Sequence, residues 1–479
     1  MRLSLTALAA TLALGASQAL AQQQPAPSSQ IAIGNVPQQV SPAALTPADQ
    51  AAVAQLQKQA LESGVGFAFV EGLTTEIGPR LAGSAQEAKA REWSVAKLKT
   101  LGFQNVRIEP FTIPYWERTV ESASIVAPAP QKLFVTALGY SAPTPKGGIE
   151  AEIAVFPDLV ALRAAPDSAV KGKIVFIDER MTRAQDGSGY GPAVAKRSQC
   201  RIIAAPKGAA ACLIRSVGTD HHRFPHTGSG GNDGPKLPNA AVSAPDADQL
   251  ARLAAKGPVR VRLDIGVETR QNAPSGNVIA EIPGSERPEE IVVIGGHLDS
   301  WDLGTGAVDD GAGVAIAAGA AKTILDLGQR PKRTIRVVLW GAEETGLYGA
   351  RAYAEQHKDE LARHVAAAES DFGAGRIWRF ESNFGPAARS ASLAIGRALA
   401  PLGIFHGPFE TGGGPDVGPL RAAGVPVAEL SQDGADYFDL HHTPDDTLDK
   451  IDPAALAQNV AAYATFAWLT ANAGWNLRQ

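Results

Sequence analysis

An excess of basic residues is missing from this sequence of 479 residues, in which 44 Lys and Arg stand against 49 Asp and Glu. The formal net charge of −5 is spread over both signs and supplies no basic surface for a phosphate backbone or an anionic membrane. Nucleic acid is therefore excluded as an expected partner. A chain of this length that is 45% hydrophobic can bury a large core and divide into two domains, or into one domain with an insertion.

Long apolar runs are missing too, except near the start. Arg2 precedes an apolar run over residues 3–16, and Ala19-Leu20-Ala21 has the small-x-small form of a signal-peptidase site. The run is shorter than the roughly 20 residues that a transmembrane helix needs, and no later run reaches that length. Because a Gln/Pro/Ser-rich tether follows, we expect residues 1–21 to be a signal peptide rather than a buried helix. The expected protein is exported, periplasmic or secreted, with no membrane span.

Cysteine is scarce, since only Cys200 and Cys212 occur. In an oxidising compartment these two thiols can form one local disulfide. Two separate buried thiols are the alternative, and their geometry cannot be read from the sequence.

Helices and strands alternate at both ends of the chain. A helix is predicted over residues 46–63, a second helix is capped by Ser84, and a strand follows at 106–113. From residue 277 the alternation returns, with strands at 291–294, 334–340, 365–368 and 425–430 and helices at 311–327, 386–400 and 453–470. This pattern predicts a mixed, largely parallel sheet sandwiched by helices.

Short strands and Gly/Pro turns occupy the region between these two parts. We therefore predict an α/β domain formed by residues 64–126 and 271–479, interrupted by a β-rich insertion at 127–270 and preceded by a tether and helix at 22–63. The insertion contains no cluster of candidate ligands. We expect it to limit access to a cleft rather than to supply catalytic groups.

Ligand-type side chains follow three of the predicted strands. His297 comes directly after an apolar strand, Glu343 and Glu344 follow the strand that ends at Trp340, and Asp371 follows a third strand. In open α/β sheets, ligands bind beyond the carboxyl ends of the strands. We therefore expect these side chains to meet at one edge of the sheet.

Asp309 and a pair of adjacent histidines, His441 and His442, complete this group. Asp309 precedes a Gly-Ala-Gly turn that starts a helix, and the histidines lie in a polar loop before the last helix. Nitrogen and oxygen donors suit zinc, and Asp309 is placed to bridge two metal ions. The full set of expected ligands has two imidazoles and three carboxylates: His297, Asp309, Glu344, Asp371 and His442.

Each of these residues has an ordinary explanation when it is taken alone. A histidine after a strand is commonly a hydrogen-bonded surface group, and two glutamates can be the solvated start of a helix. Asp371 can cap a turn. The joint placement beyond several strand ends favours the metal interpretation.

Five stretches carry a resemblance to a known family: HLDSW (297–301), DDGAG (309–313), WGAEETGLYGA (340–350), ESDFG (369–373) and HHTPDDT (441–447). They resemble the co-catalytic di-zinc exopeptidases of the aminopeptidase and glutamate carboxypeptidase type, and most of all the plasma glutamate carboxypeptidase branch. The likeness covers residues 64–125 and 271–479. Residues 127–270 look like the protease-associated insertion that several members contain.

The resemblance implies two zinc ions per chain and a role for each residue. His297, Asp309 and Asp371 would surround one zinc, and Asp309, Glu344 and His442 the other. Glu343 would act as general base, and Asp299 would orient His297. The family spacing to Asp446 and Thr447 selects His442 over His441 as the ligand, and the loop at 412–418 resembles a segment that borders the cleft.

The function implied is that of an exported zinc metallopeptidase that hydrolyses short peptides or dipeptides, with a hydroxide bridging the zinc ions and Glu343 as base. We expect a free amino terminus on the substrate, bound by a carboxylate of Asp433, Asp436 or Asp439. Aminopeptidase, dipeptidase and carboxypeptidase specificities stay open, as does a homodimeric assembly. The alternatives are a one-zinc transferase that resembles glutaminyl cyclase and a non-catalytic, receptor-like module of the same fold.

Overall fold

The computed structural model describes residues 40–478, so the expected signal peptide and almost all of the tether lie outside the described residues. Within that range, every helix is too short or too polar to cross a bilayer. The strands are β1 (Gln104–Ala127), β2 (Gln131–Leu133), β3 (Val135–Ala137), β4 (Ile149–Phe156), β5 (Ile174–Ile177), β6 (Ala211–Arg215), β7 (Asn239–Val242), β8 (Arg260–Ile282), β9 (Arg287–His297), β10 (Arg333–Trp340), β11 (His364–Glu369), β12 (Ile377–Ser382), β13 (Phe405–His406) and β14 (Val427–Gln432).

Four of the described α-helices begin at a side-chain cap, formed by Thr46, Ser84, Asp158 or Asp452. Ser84 accepts a hydrogen bond from the backbone N–H of Glu87 at 3.1 Å, which confirms the expected cap. The α-helices are α1 (Pro47–Glu62), α2 (Val65–Gly72), α3 (Ala85–Thr100), α4 (Leu159–Ala164), α5 (Asp167–Val170), α6 (Tyr190–Ala204), α7 (Ala244–Ala254), α8 (Ala312–Asp326), α9 (Tyr348–Gln356), α10 (Arg389–Leu399), α11 (Gly418–Ala422), α12 (Tyr437–Leu440) and α13 (Pro453–Asn472).

A parallel set of strands in the order β14-β11-β9-β10 forms the centre of the sheet. Helices α8 and α13 pack on one face through Ile316 and Phe466, and α9 and α11 pack on the other through Tyr353 and Leu420. Strands β8 and β12 pair antiparallel with the two outer members of the set. The expected mixed, largely parallel sheet between helices is therefore confirmed. The sequence revealed it because strands that are covered on both faces are apolar along their whole length.

Residues 127–270 form a smaller parallel set in the order β4-β5-β6-β7, together with helices α4 to α7. This region is therefore α/β in content rather than mainly β. It has an apolar core of its own, which includes Val175 and Ile214. Two long strands, β1 and β8, pair antiparallel over most of their length and connect it to the central sheet. Cys200 of α6 and Cys212 of β6 form a disulfide.

Candidate metal centre

Three adjacent strand ends bring the candidate ligands to one edge of the sheet. His297 is the last residue of β9 and lies opposite Trp340, the last residue of β10. On the other side of β9, Glu369 at the end of β11 lies opposite Gly295. Neighbouring strands are about 4.8 Å apart, so residues just beyond these ends can meet.

Asp309 lies between two histidines and offers one carboxylate oxygen to each. Its Oδ1 is 3.1 Å from His297 Nε2, which is also 3.3 Å from Asp371 Oδ1. Its Oδ2 is 3.1 Å from His442 Nε2, which is also 3.0 Å from Glu344 Oε2. The structure thus brings all five expected ligands into two clusters that share Asp309.

The donor set fits metal cations. Glu344 Oε1 is buried and has no hydrogen-bond partner in the described part of the chain. Burial raises the pKa of the Glu344 carboxyl well above its ordinary value, and the charge on Asp309 adds to that shift. Burial also raises the pKa of Asp371. Crowded, buried carboxylates with open oxygens are stabilised by a cation, and imidazole together with carboxylate suits zinc.

The second nitrogen of each imidazole is held by a backbone carbonyl. His297 Nδ1 donates to the carbonyl oxygen of Asp299 at 2.9 Å, and His442 Nδ1 donates to that of Thr227 at 3.2 Å. Both rings therefore present Nε2 to the clusters, as metal-ligating histidines do.

Thr227 also holds the backbone of His442. The N–H of Thr227 donates to the carbonyl of His442 at 3.0 Å, and His442 has a left-handed φ of 62°. Such a conformation costs a non-glycine residue about 1 kcal/mol or more, so it needs outside support. Thr227 lies within residues 127–270, so this region orients a group of the site, contrary to the expectation that it only limits access.

His441 lies beside His442 and stacks on it with the ring centroids 3.5 Å apart. Its Nε2 is 3.7 Å from Asp309 Oδ2, which is farther than the 3.1 Å of His442. Of the two rings, only that of His442 also lies close to Glu344 in the described residues, with its Nε2 3.0 Å from Glu344 Oε2. The geometry therefore favours His442 as the donor.

Asp299 contacts the site differently from the expectation. Its carboxylate oxygens accept the backbone N–H groups of Glu343 at 3.0 Å and Glu344 at 3.3 Å. Its Oδ1 is 3.8 Å from His297 Nδ1, so the main-chain carbonyl of Asp299, rather than the carboxylate, orients that ring. The carboxylate instead fixes the turn that carries both glutamates.

Replacing Asp299 by asparagine should lower kcat about tenfold and leave the metal content unchanged. An amide offers one acceptor oxygen in place of two, so one N–H of the turn loses its partner, at a cost of about 1–3 kcal/mol. Steady-state rates and elemental analysis measure the two effects, with Asp302→Asn on the same loop as the control. Metal loss at an unchanged kcat would instead assign the Asp299 carboxylate to His297.

Glu343 lines a cavity of about 310 Å³ together with Asp309, Glu344, Asp371 and His442. Burial raises the pKa of its carboxyl well above the ordinary value; Asp371 and Glu344 add to the shift, while His297 opposes it. No ion pair of the described residues includes Glu343. A carboxylate of raised basicity beside the clusters is suited to accept a proton.

The cavity wall includes residues that the sequence did not indicate. Tyr190 of α6 and Phe372 and Phe438 supply aromatic surface, and Arg379 of β12 supplies a positive charge. Gly414, in the loop expected to border the cleft, also lines it. No local pattern marks Tyr190 or Arg379 in the sequence.

The acidic residues expected to bind an ammonium group do not line this cavity. Arg183 forms ion pairs with Asp436 at 3.0 Å and Asp439 at 2.7 Å, and Gln185 donates to Asp433 at 3.0 Å. The expectation was wrong because residues 183–185 already neutralise or satisfy these carboxylates.

Arg80 is a further residue that the sequence did not indicate. Its fully buried guanidinium donates to the backbone carbonyls of Leu298 at 2.6 Å, Thr305 at 2.7 Å and Gly306 at 2.8 Å. These carbonyls belong to the loop between His297 and Asp309. Arg80 therefore braces the segment that sets the distance between two candidate ligands.

The chain is similar to several known proteins. The profile of peptidase family M28 matches residues 277–467. Carboxypeptidase Q of Mus musculus is 38% identical over 403 residues, which is 84% of each chain, and that of Homo sapiens is 38% identical over the same share of each chain. Among solved structures, the peptidase M28 precursor of Shewanella amazonensis SB2B has a TM-score of 0.88 at 51% identity, covering 90% of this chain and 98% of that one. A zinc aminopeptidase of Bacillus subtilis shares the fold, with a TM-score of 0.64 at 22% identity over 84% of this chain and 94% of its own.

Proposed function

This chain belongs to peptidase family M28, and from that premise we propose that it is an exported zinc exopeptidase that hydrolyses short peptides or dipeptides with a free amino terminus. One observation carries the proposal. Two histidine–carboxylate clusters share Asp309, and Glu343, which belongs to neither cluster, lies beside them on the cavity wall.

Two zinc ions would be held by the five donors. His297, Asp309 and Asp371 would hold one, and Asp309, Glu344 and His442 the other. When bound, zinc supplies Lewis acidity, which polarises a carbonyl group and lowers the pKa of water. The zinc aminopeptidase of Bacillus subtilis, which shares the fold, supports the choice of metal.

The chain's own residues would then handle the proton and the substrate. Glu343 takes a proton from the attacking water and delivers it to the leaving amine. It can transfer the proton only if it does not coordinate a metal ion. Asp299 holds the backbone of that glutamate in place through the N–H at 3.0 Å. Acidic groups on the cavity wall, among them Asp186 and Glu429, favour an ammonium group in the bound peptide.

Export is supported by the disulfide between Cys200 and Cys212, because such bonds persist in oxidising compartments. We propose a periplasmic or secreted location on this ground. The separate apolar core of residues 127–270 supports their assignment as a protease-associated insertion.

A panel of free, N-acetylated and C-amidated dipeptides tests the proposed function, with bound zinc counted by elemental analysis. Free dipeptides should be hydrolysed with two zinc ions per chain, and N-acetylation should lower kcat/KM at least about tenfold, since it removes a charged hydrogen-bonding group. One zinc per chain together with cyclisation of amino-terminal glutamine would favour the transferase. Bound zinc without any turnover would favour the receptor-like module.

A further inference from the structure

Arg197 of α6 is a buried cation without an anionic partner. The residue is only 2% exposed. Its Nη1 donates to the hydroxyl oxygen of Tyr190 at 2.9 Å, whereas its Nε and Nη2 have no hydrogen-bond partner in the described residues. No carboxylate of residues 40–478 forms an ion pair with it. A buried charge without a partner destabilises the folded protein, so we expect a negative charge to bind beside Arg197.

In a second arginine–tyrosine pair of the same chain, carboxylates balance the charge of the arginine. Arg336 donates to the hydroxyl of Tyr353 at 2.8 Å, in the same manner as Arg197 to Tyr190. Glu281 neutralises Arg336 at 2.8 Å, with Glu360 at 3.5 Å. That pair does not line the cavity. The two pairs therefore differ in charge balance and in access to the cavity.

Tyr190 stands between Arg197 and the cavity. Its ring stacks on Phe438 with centroids 4.7 Å apart and meets His441 edge-on at 5.4 Å. Its oxygen accepts the bond from Arg197, and no acceptor among the described residues takes its own proton. A hydroxyl in this position can donate to a bound molecule.

Gly228 provides the space for this arrangement. A Cβ at that position would lie 2.4 Å from Arg197 Cζ, so any larger residue would displace the guanidinium. The backbone of Gly228 is fixed in turn, because its carbonyl accepts the N–H of Gly139 at 2.9 Å. The cation is therefore held behind Tyr190 by rigid surroundings.

We propose that the Tyr190 hydroxyl binds an anionic oxygen of the peptide, with Arg197 as a positioning residue that supplies the balancing charge. The inference rests on the proposed exopeptidase function. A donor with a positive charge behind it binds a negative oxygen more strongly than a neutral one. Two sources of such an oxygen exist: the free carboxylate of a dipeptide, and the negative charge that develops on the carbonyl oxygen of the bond being hydrolysed.

Tyr190→Phe and Arg197→Met test the proposal, with Tyr353→Phe as the matched control. Each of the first two variants should lower kcat/KM about 10- to 100-fold, as expected for the loss of a hydrogen bond to a charged group. The double variant should lose no more than the worse single variant, because Arg197 acts through Tyr190. Tyr353→Phe should keep wild-type kcat and KM. Arg197→Lys, which retains the charge, should recover part of the loss, and it replaces Arg197→Met if that variant does not fold.

A dipeptide and its C-terminal amide distinguish the two sources. A rise in KM for the free dipeptide alone identifies the carboxylate, whereas an equal fall in kcat for both substrates identifies the developing charge. Tyr190→Phe kinetics equal to wild type on both substrates would overturn the proposal.

Calorimetric titration with leucine and leucinamide separates this inference from the proposed function. If the wild type hydrolyses neither dipeptide, the proposed function fails. In that case, tighter binding of leucine than of leucinamide that disappears in Tyr190→Phe still supports the anionic oxygen site. Equal binding of both compounds would overturn it.

Discussion

Glu343→Gln should lower kcat by roughly 10² to 10⁴-fold while the chain keeps its zinc. The variant preserves the shape of the side chain and leaves every candidate ligand in place. It removes a carboxylate that lines the cavity beside Glu344 and Asp371 and belongs to neither cluster. The fall in rate therefore measures proton transfer, and an inhibitor that binds the metal centre should bind as it does to the wild type.

Glu344→Gln is the matched control, since the same change is made one residue away. Glu344 Oε2 lies 3.0 Å from His442 Nε2, within a cluster of donors. An amide is a poorer metal donor than a carboxylate, so this variant should lose zinc, and added zinc should restore part of its activity. Metal analysis together with steady-state rates distinguishes the Glu343→Gln variant from the Glu344→Gln variant. Zinc loss in Glu343→Gln, with Glu344→Gln fully loaded and inactive, would reverse the assigned roles.

Asp309→Ala should lose more zinc than either His297→Ala or His442→Ala. Asp309 lies 3.1 Å from both histidines, through a different oxygen in each case, so its removal affects both clusters. Each histidine variant should affect mainly the cluster to which it belongs. Activity of Asp309→Ala should fall to the level of metal-free protein, because no donor of the described chain replaces a shared carboxylate.

Elemental analysis of dialysed protein checks this order, and Asp326→Ala is the control. Asp326 is an aspartate at the far end of α8 whose partner is Lys322, so its loss should leave the zinc content unchanged. Equal zinc loss in Asp309→Ala, His297→Ala and His442→Ala would contradict a shared role for Asp309.

The sequence was informative where chemistry follows local pattern. An apolar run that ends in His297 or precedes Glu343 marks a strand end, and parallel strands place such ends side by side. Asp309 was recognisable from the helix start that follows it. The apolar runs that mark these residues in the sequence are the strands that bring them together in the fold.

Other contacts could not be predicted from the sequence, for physical reasons. Arg80 braces its loop through backbone carbonyls, which every residue possesses, so no side-chain pattern marks its partners. Thr227 and His442 are 215 residues apart, and Thr227 contributes only main-chain atoms to their two contacts. The prediction of an ammonium site at Asp436 and Asp439 was wrong because Arg183, more than 250 residues earlier in the chain, pairs with both carboxylates.

The carbonyl of Thr227 makes one metal centre depend on two parts of the chain that are distant in sequence. Residues 271–478 contain all five candidate donors, whereas the contacts that hold the ring and the backbone of His442 come from residues 127–270. A change in the packing of that middle region can therefore reach the metal centre although every donor is still present.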